Sequence, residues 1–96
     1  MSRAFVKEDS DGAEPRYSLP ARDDPGYPIA AARALLEGAN RGNTQSAEEA
    51  TGYPWGDHRL VPEIQRLRAE AIQRGDDRVE TLADRFLKAA GVALDD

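Results

Sequence analysis

The sequence predicts an all-α protein, a compact bundle of three to four short helices that follows a disordered N-terminal arm. Apolar residues recur at helical spacing in the segments after residue 27, and glycines stand where these segments end. No run shows sustained alternation of apolar and polar residues, and valine, a typical strand residue, occurs at only four positions. We therefore divide the chain into an arm, residues 1–26, and a small helical domain, residues 27–96.

Length and composition restrict the classes of function. With 96 residues, the chain forms at most one small domain. Its lack of cysteine excludes a disulfide scaffold, a cysteine-ligated metal site and a thiol nucleophile. No stretch approaches the roughly 18 apolar residues of a membrane-spanning helix, and the first residues contain no apolar core of a secretory signal. We therefore expect a cytoplasmic protein that has no membrane partner. The chain carries a formal net charge of −5.

Residues 1–26 are predicted to be a disordered arm. This segment contains few large apolar side chains and three prolines, so it buries too little apolar surface to offset the entropy lost on ordering. Its one coherent apolar feature could dock on a partner or on the body of the protein. This feature consists of Met1, Ala4, Phe5 and Val6.

The first helix is predicted over residues 28–38. Pro28 suits the first helical position, because its missing N–H would have no partner there. The apolar residues that follow at helical spacing are Ile29, Ala32, Leu35, Leu36 and Ala39. Gly38, Asn40 and Gly42 tolerate positive φ angles, so we expect them to stop the helix.

A short second helix and an aromatic loop follow. Ser46 and Glu49 are predicted to form a capping box, in which each side chain accepts the backbone N–H of the other residue, and Gly52 ends the helix. Residues 53–56 form a tight loop, because proline and glycine interrupt regular structure. Trp55 in this loop buries about 200 Å² when it is internal, so we expect it to fill the gap between helices.

The third helix is predicted to begin at about Asp57 or Val61 and to end at Arg74. Pro62 lies either at its start or in its first turn. Its apolar stripe consists of Leu60, Ile64, Leu67 and Ala71. Gly75 then ends the helix.

The fourth helix is predicted to begin with a second capping box, residues 77–80, in which Asp77 is the cap. It carries the strongest periodic signal in the chain. Its apolar face consists of Val79, Leu82, Ala83, Phe86, Leu87 and Ala90. Gly91 ends the helix.

The sequence offers little catalytic chemistry, and we predict that the protein is not an enzyme. His58 is the only histidine, and the serine of the predicted helical domain, Ser46, is assigned to a helix cap. No segment matches a calcium-binding loop, a phosphate-binding loop or a dinucleotide-binding fingerprint. We therefore expect no metal and no cofactor.

The favoured hypothesis is a non-enzymatic module that binds a protein partner or a second copy of itself. Tyr53 and Trp55 are the predicted contact residues, with His58 and Arg59 at the rim. Aromatic and arginine side chains dominate the energetics of protein interfaces, which is the reason for this choice. The alternative for Trp55 is a purely structural role in the core.

The alternative function is a helix-turn-helix-like DNA-binding regulator. The second helix, the loop and the third helix follow one another as in that motif, with Arg59, Arg66 and Arg68 on or near the recognition helix. However, residues 27–96 contain more acidic than basic residues. The loop also exceeds the usual turn of about three or four residues. A nucleic-acid partner is therefore the less favoured hypothesis.

The first nine residues, MSRAFVKED, resemble the leader of some bacterial homologues of the Gre-type transcription elongation factors. Those factors insert a helical hairpin with acidic tip residues into the secondary channel of RNA polymerase, where the acids help to hold a catalytic magnesium ion. The resemblance implies an association with transcription. It also makes Asp76 and Asp77, at the bend between the third and fourth helices, a candidate acidic tip. Helices of about 13 residues extend only roughly 20 Å, far less than the family's arms, so cleavage stimulation is not implied.

Overall fold

The structure, a computed structural model, describes residues 17–93. These residues form four α-helices, which are α1 (Tyr27–Asn40), α2 (Thr44–Thr51), α3 (Val61–Arg74) and α4 (Asp77–Ala89). A 3₁₀ turn, His58–Leu60, leads directly into α3, and the described residues contain no strand. The prediction of an all-α bundle is confirmed. The predicted disorder of residues 1–16 lies outside the described residues.

α1 begins with Pro28 in its first turn, as predicted, but it continues to Asn40. Gly38 lies inside the helix instead of stopping it. The reason is packing, because a Cβ at Gly38 would lie 2.7 Å from the Cβ of Ala47. Glycine at this position therefore lets α1 and α2 approach closely. The chain turns instead at Gly42, whose φ is +76°.

The N-terminus of α2 is capped by a residue other than the predicted one. Asn43 is the N-cap, and its side-chain oxygen accepts the N–H of Ser46 at 3.3 Å. Ser46 lies in the first turn of α2, while the Glu49 carboxylate accepts from the Gln45 side chain at 3.4 Å. The predicted Ser46–Glu49 capping box is therefore wrong. Asparagine is as good a cap as serine, and Asn43 directly follows the turn at Gly42.

The starts of α3 and α4 are defined by Pro62 and by an aspartate. Val61 is the first residue of α3 and Pro62 lies in its first turn, which decides between the two predicted starts.

The N-cap of α4 is Asp76, whose carboxylate accepts the N–H of Val79 at 3.1 Å. Asp77, the predicted cap, is the first helical residue, so that prediction is wrong by one position. The N–H of Glu80, which a cap at Asp77 would have to bind, already donates to the Asp76 carbonyl at 3.1 Å, so the helix is capped by the Asp76 carboxylate instead.

The core lies between α1, α3 and α4. α3 and α4 form an antiparallel hairpin, α1 packs against both, and α2 packs against α1 alone among the described helices. The largest fully buried apolar side chains are Leu35, Leu60, Ile64, Leu82, Phe86 and Leu87. Within residues 17–93, the helices are too short or too polar to cross a membrane.

The helix directions give the bundle two ends. At the aromatic end, which we define as the loop 52–60 with the helix termini beside it, Trp55 packs against Phe86 near the end of α4. At the hairpin end, which we define as the α3–α4 turn and the C-terminus of α1, Arg78 Nε donates to Asn40 Oδ1 at 2.7 Å. This bond joins the start of α4 to the end of α1.

Part of the predicted arm packs on the bundle. Tyr17 and Leu19 are partly buried against the hydrophobic core. From the sequence, two scattered apolar side chains are too few to order a segment. In three dimensions, Tyr17 lies beside an apolar strip of α1 that includes Ile29, Ala30 and Ala34. The body of the protein therefore extends to residues before the predicted boundary at 27.

Candidate interaction surface

Buried hydrogen bonds hold the base of the aromatic loop. The Tyr27 hydroxyl donates to the Thr51 carbonyl at 2.8 Å, and the Thr51 hydroxyl donates to the Ala47 carbonyl at 2.8 Å. The N–H of Tyr53 donates in turn to the Thr51 hydroxyl at 3.2 Å. Gly52, with φ of +80°, ends α2 between these two residues. The loop therefore starts directly after Thr51, which is only 1% exposed.

Trp55 belongs to both the core and the surface. Its ring meets Phe86 edge-on, with the ring centroids 4.9 Å apart at an angle of 67°. Its backbone N–H donates to the Glu48 carboxylate at 2.7 Å, which ties the loop to α2. A Cβ at Gly56 would lie 2.9 Å from the Cβ of Ala89, so the loop lies directly against α4. Because the indole is half-buried, neither of the two predicted roles of Trp55 describes it alone.

Arg59 is held in a defined position over Tyr53. Its guanidinium carbon lies 4.7 Å from the ring centroid, within the range of a cation–π interaction. The Asp57 carboxylate accepts from Arg59 Nε at 3.1 Å and from Nη2 at 2.7 Å. It also accepts the backbone N–H of Arg59 at 2.8 Å, which caps the 3₁₀ turn. The Arg59 side chain is nonetheless 69% exposed, so a partner can reach it.

The same hydrogen bonds determine the charge state of this pair. Donation from the Arg59 side chain lowers the pKa of Asp57 below its ordinary value, and the Arg59 backbone N–H acts in the same direction. Desolvation of Asp57 opposes these effects without cancelling them. The hydrogen bond with Asp57 raises the pKa of Arg59. Both groups are therefore charged at neutral pH, and together they are close to neutral.

A second arginine–tyrosine pair continues the row. The guanidinium carbon of Arg22 lies 5.6 Å from the centroid of the Tyr27 ring, and the Tyr27 and Tyr53 rings lie 6.3 Å apart. Sequence reasoning missed Arg22 because its segment was assigned to the disordered arm. It also missed Asp57, although an aspartate two residues before an accessible N–H is a turn signal that could have indicated its role.

The remaining predicted site residues lie at opposite ends of the bundle, His58 at the aromatic end and the two aspartates at the hairpin end. His58 lies on the exposed 3₁₀ turn, and its ring has no hydrogen-bond partner among the described residues. Asp76 and Asp77 lie at the hairpin end, where Asp76 caps α4 and lies 3.4 Å from Arg74. Within residues 17–93, no group of three or more histidine or acidic side chains is arranged to hold a metal ion.

The arrangement of α2 and α3 differs from that of a helix-turn-helix motif. In that motif the two helices are joined by a short turn at about 90–120°. Here no Cα atom of α2 lies within 8 Å of a Cα atom of α3. The arginines expected on the recognition helix are also paired, Arg66 with Glu70 at 3.4 Å and Arg68 with Asp84.

Comparison of the chain with models of known protein families, with curated proteins and with solved structures found no match.

Proposed function

We propose that this chain is a cytoplasmic, non-enzymatic protein-interaction module that binds its partner with the aromatic surface, defined as Tyr53, Trp55, His58 and Arg59. The observation that carries this proposal is the stack of Arg59 on Tyr53. In this stack, a carboxylate holds the exposed guanidinium over the aromatic ring before any partner binds. Arginine, tyrosine and tryptophan are the residue types most enriched among the energetically dominant residues of interfaces.

Preorganisation supports binding through this surface. Immobilising a flexible side chain at an interface costs about 0.5–1.5 kcal/mol. The carboxylate of Asp57 and the ring of Tyr53 already restrict Arg59, so less of this cost remains when a partner binds. Trp55 is likewise held in place by Phe86. A partner therefore meets an ordered surface instead of having to order it.

The charges of the surface favour a protein over a nucleic acid. Phosphate contacts dominate nucleic-acid affinity, and they require cations that are available to pair with phosphate. Arg59 already shares a salt bridge with Asp57 at 2.7 Å, and the two arginines of α3 named above also have carboxylate partners. A protein partner can instead use the apolar faces of Tyr53 and Trp55 together with the outer edge of the guanidinium.

Comparative capture from extracts of the native cell tests the proposal. The full chain, the Arg59→Glu variant and the Arg85→Glu variant serve as baits under identical conditions. Arg85 is exposed on α4, so its substitution makes the same charge change outside the aromatic surface. We expect at least one protein to be captured by the wild-type chain and by Arg85→Glu but to be reduced about tenfold or more with Arg59→Glu. Equal capture by both variants, or no specific capture, would contradict the proposal.

A DNA titration tests the alternative function. Affinity from phosphate contacts is strongest at low ionic strength, so duplex DNA at about 50 mM salt is the most permissive condition. We expect no salt-dependent binding of DNA. If such binding appears, it favours the DNA-binding regulator over the protein-interaction module.

We also propose, more specifically, that the protein acts in transcription, and this part of the proposal is supported by residues 1–9 only. The captured protein decides this point, since a transcription role requires a component of the transcription machinery.

A further inference from the structure

The segment that precedes α1 lies beside the start of α2. The Tyr17 hydroxyl oxygen is 3.2 Å from the position that a Cβ would take at Gly38 of α1. The carbonyl oxygen of Asn43, the N-cap of α2, is 3.1 Å from the same position. Tyr17 therefore reaches the point where α1 and α2 meet.

The same segment also lies beside the end of α2. The guanidinium nitrogens of Arg22 are 3.1 and 3.2 Å from the position that a Cβ would take at Gly52, the C-cap of α2. The guanidinium carbon is 5.6 Å from the ring centroid of Tyr27, whose hydroxyl is hydrogen-bonded to the last residue of α2. Between these contacts, Leu19 is partly buried against the hydrophobic core. Residues 17–22, which we call the strap, thus lie beside both termini of α2.

α2 has little other support. Among the described residues, α1 is its only helical neighbour. A helix with few buried contacts opens locally at low cost in free energy, so contacts at its two termini contribute a large share of its stability. The aromatic loop depends on α2 in turn, because Glu48 accepts the N–H of Trp55 and the Thr51 hydroxyl accepts the N–H of Tyr53.

The contact of Tyr17 with the bundle contains an opposing term. Its hydroxyl oxygen is buried and has no hydrogen-bond partner among residues 17–93. A buried hydroxyl without a partner has given up its hydrogen bonds to water, which offsets part of the gain from packing the ring. A released Tyr17 recovers those bonds. The packed and the released strap therefore differ less in free energy than burial of the ring alone would give.

We propose that the strap is releasable and that its release opens α2 and loosens the aromatic surface. While Tyr17 is packed, the strap supports α2 at both termini, and α2 holds the loop. Once Tyr17 leaves, α2 keeps α1 alone as its support and opens more often. Residues 1–16 directly precede Tyr17 in the chain, so a ligand of those residues that displaces Tyr17 changes the aromatic surface from a distance. The effect on partner binding rests on the proposed function, whereas the effect on α2 does not.

Native-state hydrogen exchange on the full chain tests the inference. Tyr17→Ala removes the ring, so the amides in the middle of α2 should exchange at least about fivefold faster than in the wild type, with a smaller change in α4. Tyr17→Phe keeps the ring and removes only the unpaired hydroxyl, so α2 should exchange no faster than in the wild type. The matched control is Val79→Ala, which truncates a partly buried side chain of α4 and should not accelerate α2 more than α4.

The single tryptophan reports on the loop in the same variants. We expect acrylamide to quench Trp55 emission about twofold more efficiently in Tyr17→Ala than in Val79→Ala, because the loop opens with α2. Equal acceleration of α2 and α4 in Tyr17→Ala, unchanged quenching of Trp55, or faster exchange of α2 in Tyr17→Phe would overturn the inference. Failure of the proposed function is distinguishable, since it removes the captured partner and leaves the exchange and quenching results unchanged.

Discussion

Asp57 performs two tasks at the aromatic end with one carboxylate. Its Oδ1 accepts the backbone N–H and Nε of Arg59, and its Oδ2 accepts from Nη2. The first contact caps the 3₁₀ turn that leads into α3, and the others hold the guanidinium over Tyr53. The local order of this turn and the shape of the proposed surface therefore depend on the same side chain.

Replacement of Asp57 by alanine should destabilise the protein. The substitution removes a cap, so we expect the free energy of unfolding to fall by about 1 kcal/mol. Asp57→Asn retains a capping oxygen and should cost less. Urea denaturation followed by circular dichroism measures both effects, and Asp23→Ala, at an exposed aspartate, is the control. An equal loss in the Asp23 and Asp57 alanine variants would show that the cap contributes nothing.

The Asp57–Arg59 pair also predicts a pH dependence. Arg59 lowers the folded-state pKa of Asp57 below its ordinary value of 3.8, so the folded state binds this proton less readily than the unfolded state. The contribution of the pair is therefore fully present above the unfolded-state value and is lost as the pH falls through the folded-state value. We expect the difference in urea midpoint between wild type and Asp57→Asn to be constant above about pH 5 and to shrink as the pH falls below the ordinary pKa of 3.8. A difference that grows on acidification would contradict this sign.

At the level of helices, apolar periodicity predicted α1, α3 and α4, and a polar capping pattern predicted α2. The polar patterns misplaced the caps of α2 and α4. Asn43 and Ser46 are both good N-cap residues, as are Asp76 and Asp77, so residue type alone does not choose between them. The choice is made by backbone direction, because only one candidate in each pair has its oxygen beside an unpaired N–H of the first turn.

Alanine substitutions at the start of α2 test this assignment. Asn43→Ala removes the oxygen that accepts the Ser46 N–H, so we expect it to lower the free energy of unfolding by about 1 kcal/mol. Ser46→Ala replaces a residue inside the helix with a better helix former and should change stability by less than about 0.5 kcal/mol. Thermal or urea unfolding compares the two variants directly. A larger loss for Ser46→Ala would restore the predicted capping box.

The contact between α1 and α2 depends on the absence of a side chain at Gly38. Gly38→Ala would place a Cβ 2.7 Å from the Cβ of Ala47, so we expect a loss of about 1–3 kcal/mol despite the better helix propensity of alanine. Ala47→Gly removes the opposing methyl group and should recover part of this loss in the double variant. Urea unfolding of the four proteins gives the coupling energy, and strictly additive effects would contradict the predicted clash.

For the whole molecule, stability is distributed unevenly among the helices. α1, α3 and α4 contribute most of the buried side chains of the core, whereas α2 contributes Ala47 and Thr51 and packs, among the described helices, against α1 alone. Local opening requires the loss of fewer buried contacts where a helix has a single neighbour. We therefore expect α2 to be the helix that opens most easily, although the aromatic loop is hydrogen-bonded to it.

Native-state hydrogen exchange measures this difference. We expect the backbone amides in the middle of α2 to exchange at least about tenfold faster than those in the middle of α3 and α4. The comparison is made within one protein and one set of conditions, so it needs no external reference. Uniform protection of all four helices would indicate that the bundle opens only as a single cooperative unit.

The sequence by itself determined the all-α class, the approximate position of all four helices and the aromatic content of the loop. These features depend on local spacing, since apolar residues at 3.6-residue intervals and glycines at helix ends act within one segment. Tyr53, Trp55 and Arg59 were predicted as contact residues from residue type alone, which requires no tertiary information.

Only the tertiary structure decided which of these side chains meet. It placed Tyr17 and Leu19 on the bundle and brought Trp55 against Phe86. It also made Gly38 a packing residue and formed a cleft between three separate helices, α1, α3 and α4. Each of these features joins positions that are distant in the chain, and their contact depends on helix directions that local periodicity does not specify.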